Sequence, residues 1–187
     1  MGHSQAEKAE NRERILTEAS RQVRRDGLES LSVGTLMKSV GLTHGGFYGH
    51  FESRSALLAE ALERALLEGE ANAKVQSSDR PQSFAHIVRS YLSRTHRDGR
   101  DSGCAIAALV SDVARAETSS REVMTDHIET FIASVTEALR GDEKGAIVAV
   151  SAMVGALALS RVVADPARSE AFLKSVRDHL RALDVGD

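Results

Sequence analysis

The chain has 187 residues and a mass of 20.1 kDa, enough for one large or two small compact domains. Its composition, 42% hydrophobic and 27% charged, is typical of a soluble globular protein. Aromatic residues make up only 4%, tryptophan is absent and proline occurs twice, which favours helices and argues against a β-sandwich or a β-barrel. We therefore predict an all-α chain.

The charge balance argues weakly against a polyanionic ligand, since 24 basic and 27 acidic side chains give a net charge of −3. The acidic excess lies downstream, however, because residues 1–55 hold 8 basic and 7 acidic side chains. The single cysteine, Cys104, excludes an internal disulfide and fits a reducing cytoplasm. The polar residues 1–14 are not expected to form a secretory signal. Residues 146–164 are the most apolar stretch, but polar residues interrupt them, which favours a buried helix over a membrane span.

Apolar residues at helical spacing predict four helices in about the first 70 residues. Their expected positions are residues 6–26 before Gly27, a two-turn helix between Ser32 and Gly41, residues 44–50 after Thr43, and a longer helix after Ser53. The polar stretch Lys74–Pro81 predicts a loop. Five more helices are expected at about residues 84–92, 104–114, 120–139 (opened by a capping box of Ser119 and Glu122), 144–164 and beyond 166.

Residues 32–51, SVGTLMKSVGLTHGGFYGHF, are the segment most informative about function. Two short helices joined at Gly41 match the helix-turn-helix plan, in which the second helix enters the major groove of DNA. Gly45, Gly46 and Gly49 each cost that helix up to about 1 kcal/mol relative to alanine. A close approach of the backbone to DNA phosphates would explain this cost. The alternative interpretation is a glycine-rich loop.

The string GLTHGGFYGHFESRSAL resembles the DNA-binding signature of tetracycline-repressor-like (TetR-like) transcriptional regulators, and the likeness covers about residues 10–60. The resemblance implies an all-α homodimer. Its N-terminal three-helix DNA-binding domain, with the helix-turn-helix, would cover residues 1–55, and a C-terminal helical domain for ligand binding and dimerisation would cover residues 56–187. It also implies a cytoplasmic regulator, usually a repressor, that binds a double-stranded, pseudo-palindromic operator and is released by a small-molecule inducer.

The motif also predicts which residues contact DNA. They are Thr43, His44, Gly45, Gly46, Tyr48, His50, Arg54 and Lys38. The resemblance places Thr43, Tyr48 and His50 on the phosphate backbone, with Arg54 where the family usually has lysine, whereas His44, Gly45 and Gly46 would face base edges. Arg12 and Arg14 are further phosphate candidates, or else solvated charges paired with neighbouring glutamates. Gly34 departs from the charged or polar residue common in the family, and Phe47 and Phe51 are expected in the core.

A ligand pocket is expected among the C-terminal helices. Its candidate lining residues are Phe84, Val88, Tyr91, Cys104, Ala108, Asp112, Phe131, Val135, Met153 and Leu157; plain core packing is the alternative for each. Asp112 would be a polar anchor beside free volume at Ala105 and Ala108, or else a solvated aspartate. The small residues Ala152, Ala156 and Ser160 form a stripe at i+4 spacing that would let a helix of a second subunit approach closely.

Two other hypotheses stay open. One is a regulator that senses oxidants or electrophiles through Cys104, against a buried and inert cysteine. The other is a helical interaction protein that has lost DNA binding. Catalysis, a cofactor and a membrane partner are not expected, and a metal site is not expected because His96, Cys104 and His127 are scattered.

Overall fold

A computed structural model describes residues 5–75, 83–100 and 103–183, with the side chains of residues 71–75 and 183 outside the description. Within these residues the regular structure is entirely helical, which confirms the predicted fold class. The α-helices are α1 (Gln5–Asp26), α2 (Val33–Ser39), α3 (Arg54–Val75), α4 (Phe84–Tyr91), α5 (Arg94–Asp98), α6 (Ala105–Val113), α7 (Thr118–Ala138), α8 (Glu143–Val162) and α9 (Pro166–Leu183). Two 3₁₀ helices, Leu28–Ser30 and His44–Gly49, lie between them.

Three local expectations differ from the structure. The sequence pattern missed α5, a five-residue helix too short to show a period, which begins where the Ser93 hydroxyl accepts a hydrogen bond from the backbone N–H of His96. The predicted capping box is wrong, because α7 begins two residues earlier, at Thr118, with Glu117 at its N-cap and without a side-chain cap. The loop predicted at Lys74–Pro81 begins later, since α3 continues to Val75, and the rest of it lies outside the described residues.

A first apolar core joins the N-terminal segment to the helices that follow it. Ile15 of α1, Leu36 of α2, Phe47 of the second 3₁₀ helix, Leu62 of α3 and Leu109 of α6 are all buried in it. Each large apolar side chain contributes about 1.5–3 kcal/mol on burial. The expected domain boundary after residue 55 falls in the first turn of α3, and this core draws on residues from both sides of it. A division into two domains there stays a proposal.

A second core is formed by α4, α7, α8 and α9. Helix α8 is its central element and buries Ala149, Met153 and Leu157. Among the described helices, α8 alone is long and apolar enough to cross a membrane, a test that the core helix of a soluble protein also passes. Its packing against α7 and α9 agrees with the predicted buried helix.

Helix α6 connects the C-terminal helices to the N-terminal segment through one aspartate. Gly27 ends α1 with a positive φ of 90°, and the next backbone N–H, of Leu28, points away from the helix. The Asp112 carboxylate accepts this N–H at 3.0 Å, and its second oxygen pairs with the exposed Arg115 at 3.2 Å. The structure therefore uses Asp112 as a link between α6 and the turn after α1, whereas the sequence suggested a ligand anchor or a solvated residue.

We expect Asp112→Ala to lower the free energy of unfolding by about 1–3 kcal/mol, because the Leu28 N–H would lose its acceptor. Asp112→Asn keeps a side-chain oxygen and should lose less. Chemical unfolding followed by circular dichroism measures both variants, with the exposed Asp126→Ala in α7 as the control. Equal stability of Asp112→Ala and the wild type would show that the link contributes nothing.

Candidate DNA-binding surface

The turn between the two short helices has a defined hydrogen-bond pattern. After α2, the N–H of Leu42 donates to the carbonyl of Met37 at 2.8 Å, and the N–H of Gly41 donates to that of Lys38 at 3.1 Å. Gly41 has a φ of 73°, a left-handed conformation that glycine adopts without steric cost. This pair of bonds is the Schellman motif, and it ends α2 at the position that the sequence predicted.

The element after the turn, His44–Gly49, is a 3₁₀ helix, which we call the recognition helix. The N–H of Gly46 donates to the carbonyl of Thr43 at 3.0 Å, and the N–H of His50 donates to that of Phe47 at 2.9 Å. These i to i−3 bonds give a tighter turn than the α-helix that the sequence suggested, and three glycines in six residues tolerate it. Thr43 lies at the N-cap position, but its side chain makes no cap bond.

Two phenylalanines hold the recognition helix on the first core. Phe47 and Phe51 are 1% and 3% exposed, and their rings stack with centroids 5.7 Å apart. Both therefore lie in the core, as expected. Tyr48 meets the Phe47 ring edge-on at 5.2 Å but remains 70% exposed. The inner face of the helix is thus fixed while its outer face points to solvent.

Most of the expected DNA-binding residues are exposed or half-buried in the helix-turn-helix. Lys38, Thr43, His44, Gly45 and Tyr48 are exposed, and Gly46 and His50 are half-buried. A Cβ atom added to Gly45 would meet no atom within 4 Å, so the folded chain itself has no need of glycine there. A DNA contact by the backbone of Gly45 stays a prediction.

Gly34 of α2 lies beside the ring of His44, whose Cδ2 would be 3.8 Å from an added Cβ. Gly34 thus lies next to the recognition helix, and a larger side chain would start there without a steric clash at its Cβ. Because glycine has no side chain, this position cannot supply the phosphate contact that a charged or polar residue would make there.

Three arginines expected at phosphates make contacts within the fold. The Arg54 guanidinium donates to the carbonyls of Leu31 at 3.1 Å and Leu28 at 3.3 Å. Arg12 pairs with Glu60 and lies over the ring of Phe51, as in the alternative of a paired charge. Arg14 donates to the carbonyl of Val40 at the helix-turn-helix. Arg14 is nevertheless exposed, and Arg12 and Arg54 are half-buried, so DNA contacts by these arginines stay predictions.

The ten expected ligand-lining residues occupy different environments in the described part of the chain, and their role in ligand binding stays a prediction. Phe84, Val88, Val135, Met153 and Leu157 are packed in the second core, as the alternative interpretation had it. Ala108 is exposed, so the free volume expected beside it is open solvent. Two surface clefts formed by described residues include none of the ten.

Tyr91, Cys104 and Phe131 do come together, beside a histidine that the ligand hypothesis omitted. The Tyr91 hydroxyl donates to the Cys104 Sγ at 3.1 Å, and its ring stacks on Phe131 at 5.3 Å. His96 carries its proton on Nδ1, which donates to the Tyr91 carbonyl at 2.7 Å, because its Nε2 accepts the N–H of Cys104 at 3.0 Å. Burial lowers the pKa of His96 and raises that of Tyr91 well above its usual value.

This cluster leaves the function of Cys104 undecided. The thiol is half-buried and accepts the hydroxyl of Tyr91. Sensing of oxidants or electrophiles through Cys104 stays a hypothesis. No group of three or more potential metal ligands lies together among the residues that the structure describes.

Comparison with known proteins places the helix-turn-helix in a family. Residues 15–61 match the model for bacterial regulatory proteins of the tetR family, a range that includes the recognition helix and its supporting helices. No curated protein is significantly similar in sequence.

Several solved structures share the fold over almost the whole chain. A TetR-family regulator of Agrobacterium tumefaciens is 19% identical with a TM-score of 0.76, covering 92% of this chain and 98% of its own. One of Streptomyces coelicolor is 26% identical with a TM-score of 0.67, covering 96% and 97%. The reduced form of NemR from E. coli is 22% identical with a TM-score of 0.72, covering 92% and 96%.

Fold and site together define a helix-turn-helix DNA-binding protein. Residues 15–61 match the DNA-binding segment of the tetR family, and the whole chain resembles TetR-like transcription regulators in its all-helical fold.

Gly45→Ala should separate stability from DNA binding. We expect unfolding stability to be unchanged or raised by up to about 1 kcal/mol, because the added Cβ meets open space. DNA affinity should fall about tenfold, since the methyl group would intrude where the backbone approaches DNA. Fluorescence anisotropy with labelled DNA and thermal unfolding measure the two effects. Gly69→Ala in α3, where a Cβ would make ordinary contacts, is the matched control; an unchanged affinity of Gly45→Ala would refute the close approach.

Proposed function

We propose that the protein is a cytoplasmic, homodimeric transcriptional repressor that binds a pseudo-palindromic operator and releases it when a small-molecule effector binds. The observation that carries the DNA-binding part is the recognition helix, which is anchored by Phe47 and exposes Gly45 and Tyr48. Such an element can enter a major groove with its backbone close to the phosphates.

The net charge of −3 does not oppose this proposal. Phosphate binding depends on local donors, and the helix-turn-helix exposes the Lys38 ammonium, the Thr43 hydroxyl and the Tyr48 hydroxyl. A dimer doubles this set, and its affinity falls with salt according to the number of phosphates contacted.

The dimer is proposed from an unpartnered apolar face on α8. Val148, Leu159 and Val162 are 61%, 52% and 82% exposed and lie on one side of the helix. Gly155 lies at the centre of this face, and a Cβ there would meet nothing within 4 Å. Since nothing in the chain requires glycine at that point, we infer that a second helix approaches there, as in a two-fold interface.

This face differs from the small-residue stripe that the sequence suggested. Ala156 and Ser160 are buried within the chain, and the Ser160 carbonyl accepts the hydroxyl of Ser169 at 2.5 Å. Two of the three stripe residues thus serve the packing of α8 on α9.

Leu159→Glu should weaken or abolish the dimer, because burial of an unpaired carboxylate at an interface is costly. Analytical ultracentrifugation of the full chain gives the dimerisation constant. Val110→Glu, which adds the same charge to a half-exposed apolar site on α6, should leave it unchanged. A monomeric wild type, or a Leu159→Glu variant that dimerises as tightly as the wild type, would contradict the proposed interface.

An effector must bind the DNA-competent and DNA-released states with different affinities, because a ligand that binds both equally shifts nothing. Helix α6 is the proposed connection, since it begins at Cys104 and its Asp112 bonds the turn after α1. A shift of α6 would then move the support of the recognition helix in each subunit and change the spacing of the two helices on DNA.

Electrophoretic mobility shift with the DNA upstream of the protein's own gene tests the proposal. The dimer should prefer a palindromic site there over random DNA. Tyr48→Phe removes one exposed phosphate donor per subunit, about 1 kcal/mol each, so affinity should fall roughly thirtyfold in the dimer.

Tyr91→Phe, at the chain's second tyrosine, is the control, since its hydroxyl contacts Cys104 and lies away from the recognition helix. No preference for any upstream site would contradict autoregulation. An activity that persists unchanged in Tyr48→Phe and in a variant with His50→Ala would instead favour a helical interaction protein.

A further inference from the structure

A cleft of about 220 Å³ opens between the end of α5, the end of α8 and the first turn of α9. Three arginines, Arg97, Arg100 and Arg161, line it. Its volume lies below the range of about 300–1,000 Å³ that holds drug-sized ligands, so it suits a smaller molecule. None of the residues that the sequence suggested as pocket lining is among its lining residues.

The three guanidinium groups differ in their partners. Arg97 is neutralised by Asp98, whose two oxygens lie 2.7 and 3.1 Å from Nε and Nη2. Arg100 donates to the carbonyl of Arg161 at 3.3 Å. Arg161 donates to the carbonyls of Arg97 and His96, both at 3.1 Å. Among the described residues, neither Arg100 nor Arg161 has a carboxylate within 4 Å.

Arg161 is held firmly in this position. A Cβ on Gly103 would come within 2.9 Å of its Nη2 and within 2.4 Å of the Gly99 carbonyl, so only glycine lets the chain pass between them. Burial lowers the pKa of Arg161, which shows that the cation is partly removed from water. A fixed, partly desolvated cation with no carboxylate in direct contact among the described residues interacts strongly with an anion that reaches it.

The cleft also has apolar lining residues. Val163 and Pro166 line it where α8 gives way to α9. The cleft therefore combines the planar, forked donors of the arginines with apolar surface, and Asp98, Ser160 and Ser169 complete its lining. An arginine fork matches a carboxylate in two parallel hydrogen bonds.

We propose that this cleft binds a small organic carboxylate, with its charge held by Arg100 and Arg161 and a compact apolar body against Val163 and Pro166. The binding itself does not depend on the proposed repressor function. An effect of the bound carboxylate on DNA binding, in contrast, rests on that function. It would pass from Arg161, which donates to a carbonyl of α5, through His96, which accepts the N–H of Cys104 at the start of α6.

Isothermal titration of the full chain with sodium benzoate, without DNA, tests the cleft. We expect one benzoate per chain and at least about tenfold weaker binding of the neutral isostere benzamide. Arg100→Gln should weaken benzoate binding about tenfold while leaving the unfolding temperature unchanged, because Arg100 is exposed and makes a single long bond. Arg89→Gln, an exposed arginine of α4 outside the cleft, should bind benzoate like the wild type.

Three results would overturn the proposal: no benzoate binding at millimolar concentration, equal binding of benzoate and benzamide, or wild-type binding by Arg100→Gln. If sodium sulfate binds the cleft as tightly as benzoate does, the site takes inorganic anions, and the proposed contact of the apolar body with Val163 and Pro166 is refuted. If benzoate binds in a way that depends on Arg100 but does not release DNA, the carboxylate site is supported and only its proposed role in regulation is refuted.

Discussion

The anchoring of the recognition helix on the first core is the constraint on which the rest of the structure depends. A six-residue element with three glycines has little intrinsic preference for a helical form and a high entropic cost of ordering. Phe47 and Phe51 offset this cost by burial among α1, α2 and α3. The element can therefore be glycine-rich on its outer face and still keep one shape.

The same core extends beyond the DNA-binding segment. Leu109 of α6 and Met124 of α7 belong to it together with Ile15 and Phe47. Interiors are close-packed and transmit displacements, so α6 and the recognition helix are mechanically connected. The Asp112 carboxylate adds a directional bond to this connection. Regulation of DNA binding from the C-terminal helices needs such a connection, whichever effector binds there.

The glycines divide by what their missing side chains would meet. At Gly103 a Cβ would collide with backbone, and at Gly27 and Gly41 the positive φ requires glycine, so these three are explained by the fold itself. Gly45 and Gly155 face open space, one on the recognition helix and the other on the exposed face of α8. The proposed function offers a partner for each position, DNA for the first and a second subunit for the second.

Much of the fold follows from the sequence because most of its helices are long and amphipathic. Apolar spacing places α1, α2, α3 and the last three helices, and Gly41 marks the turn. Hydrogen bonds between residues far apart in the sequence cannot be predicted from apolar spacing. The bonds of Arg54 to Leu28 and Leu31, and of Asp112 to Leu28, join residues 23 to 84 positions apart. The arginine cleft was missed for the same reason, since α5 is too short for a period and Arg161 faces it from another helix.

In the proposed complex, two copies of the recognition helix read DNA as a symmetric pair. Selection of binding sites from random double-stranded DNA by the purified full-length protein tests this symmetry. We expect one enriched sequence with two inverted half-sites about one helical turn apart, bound with an affinity that falls steeply as salt rises. Recovery of no enriched sequence, or of a single half-site without a symmetric partner, would contradict it.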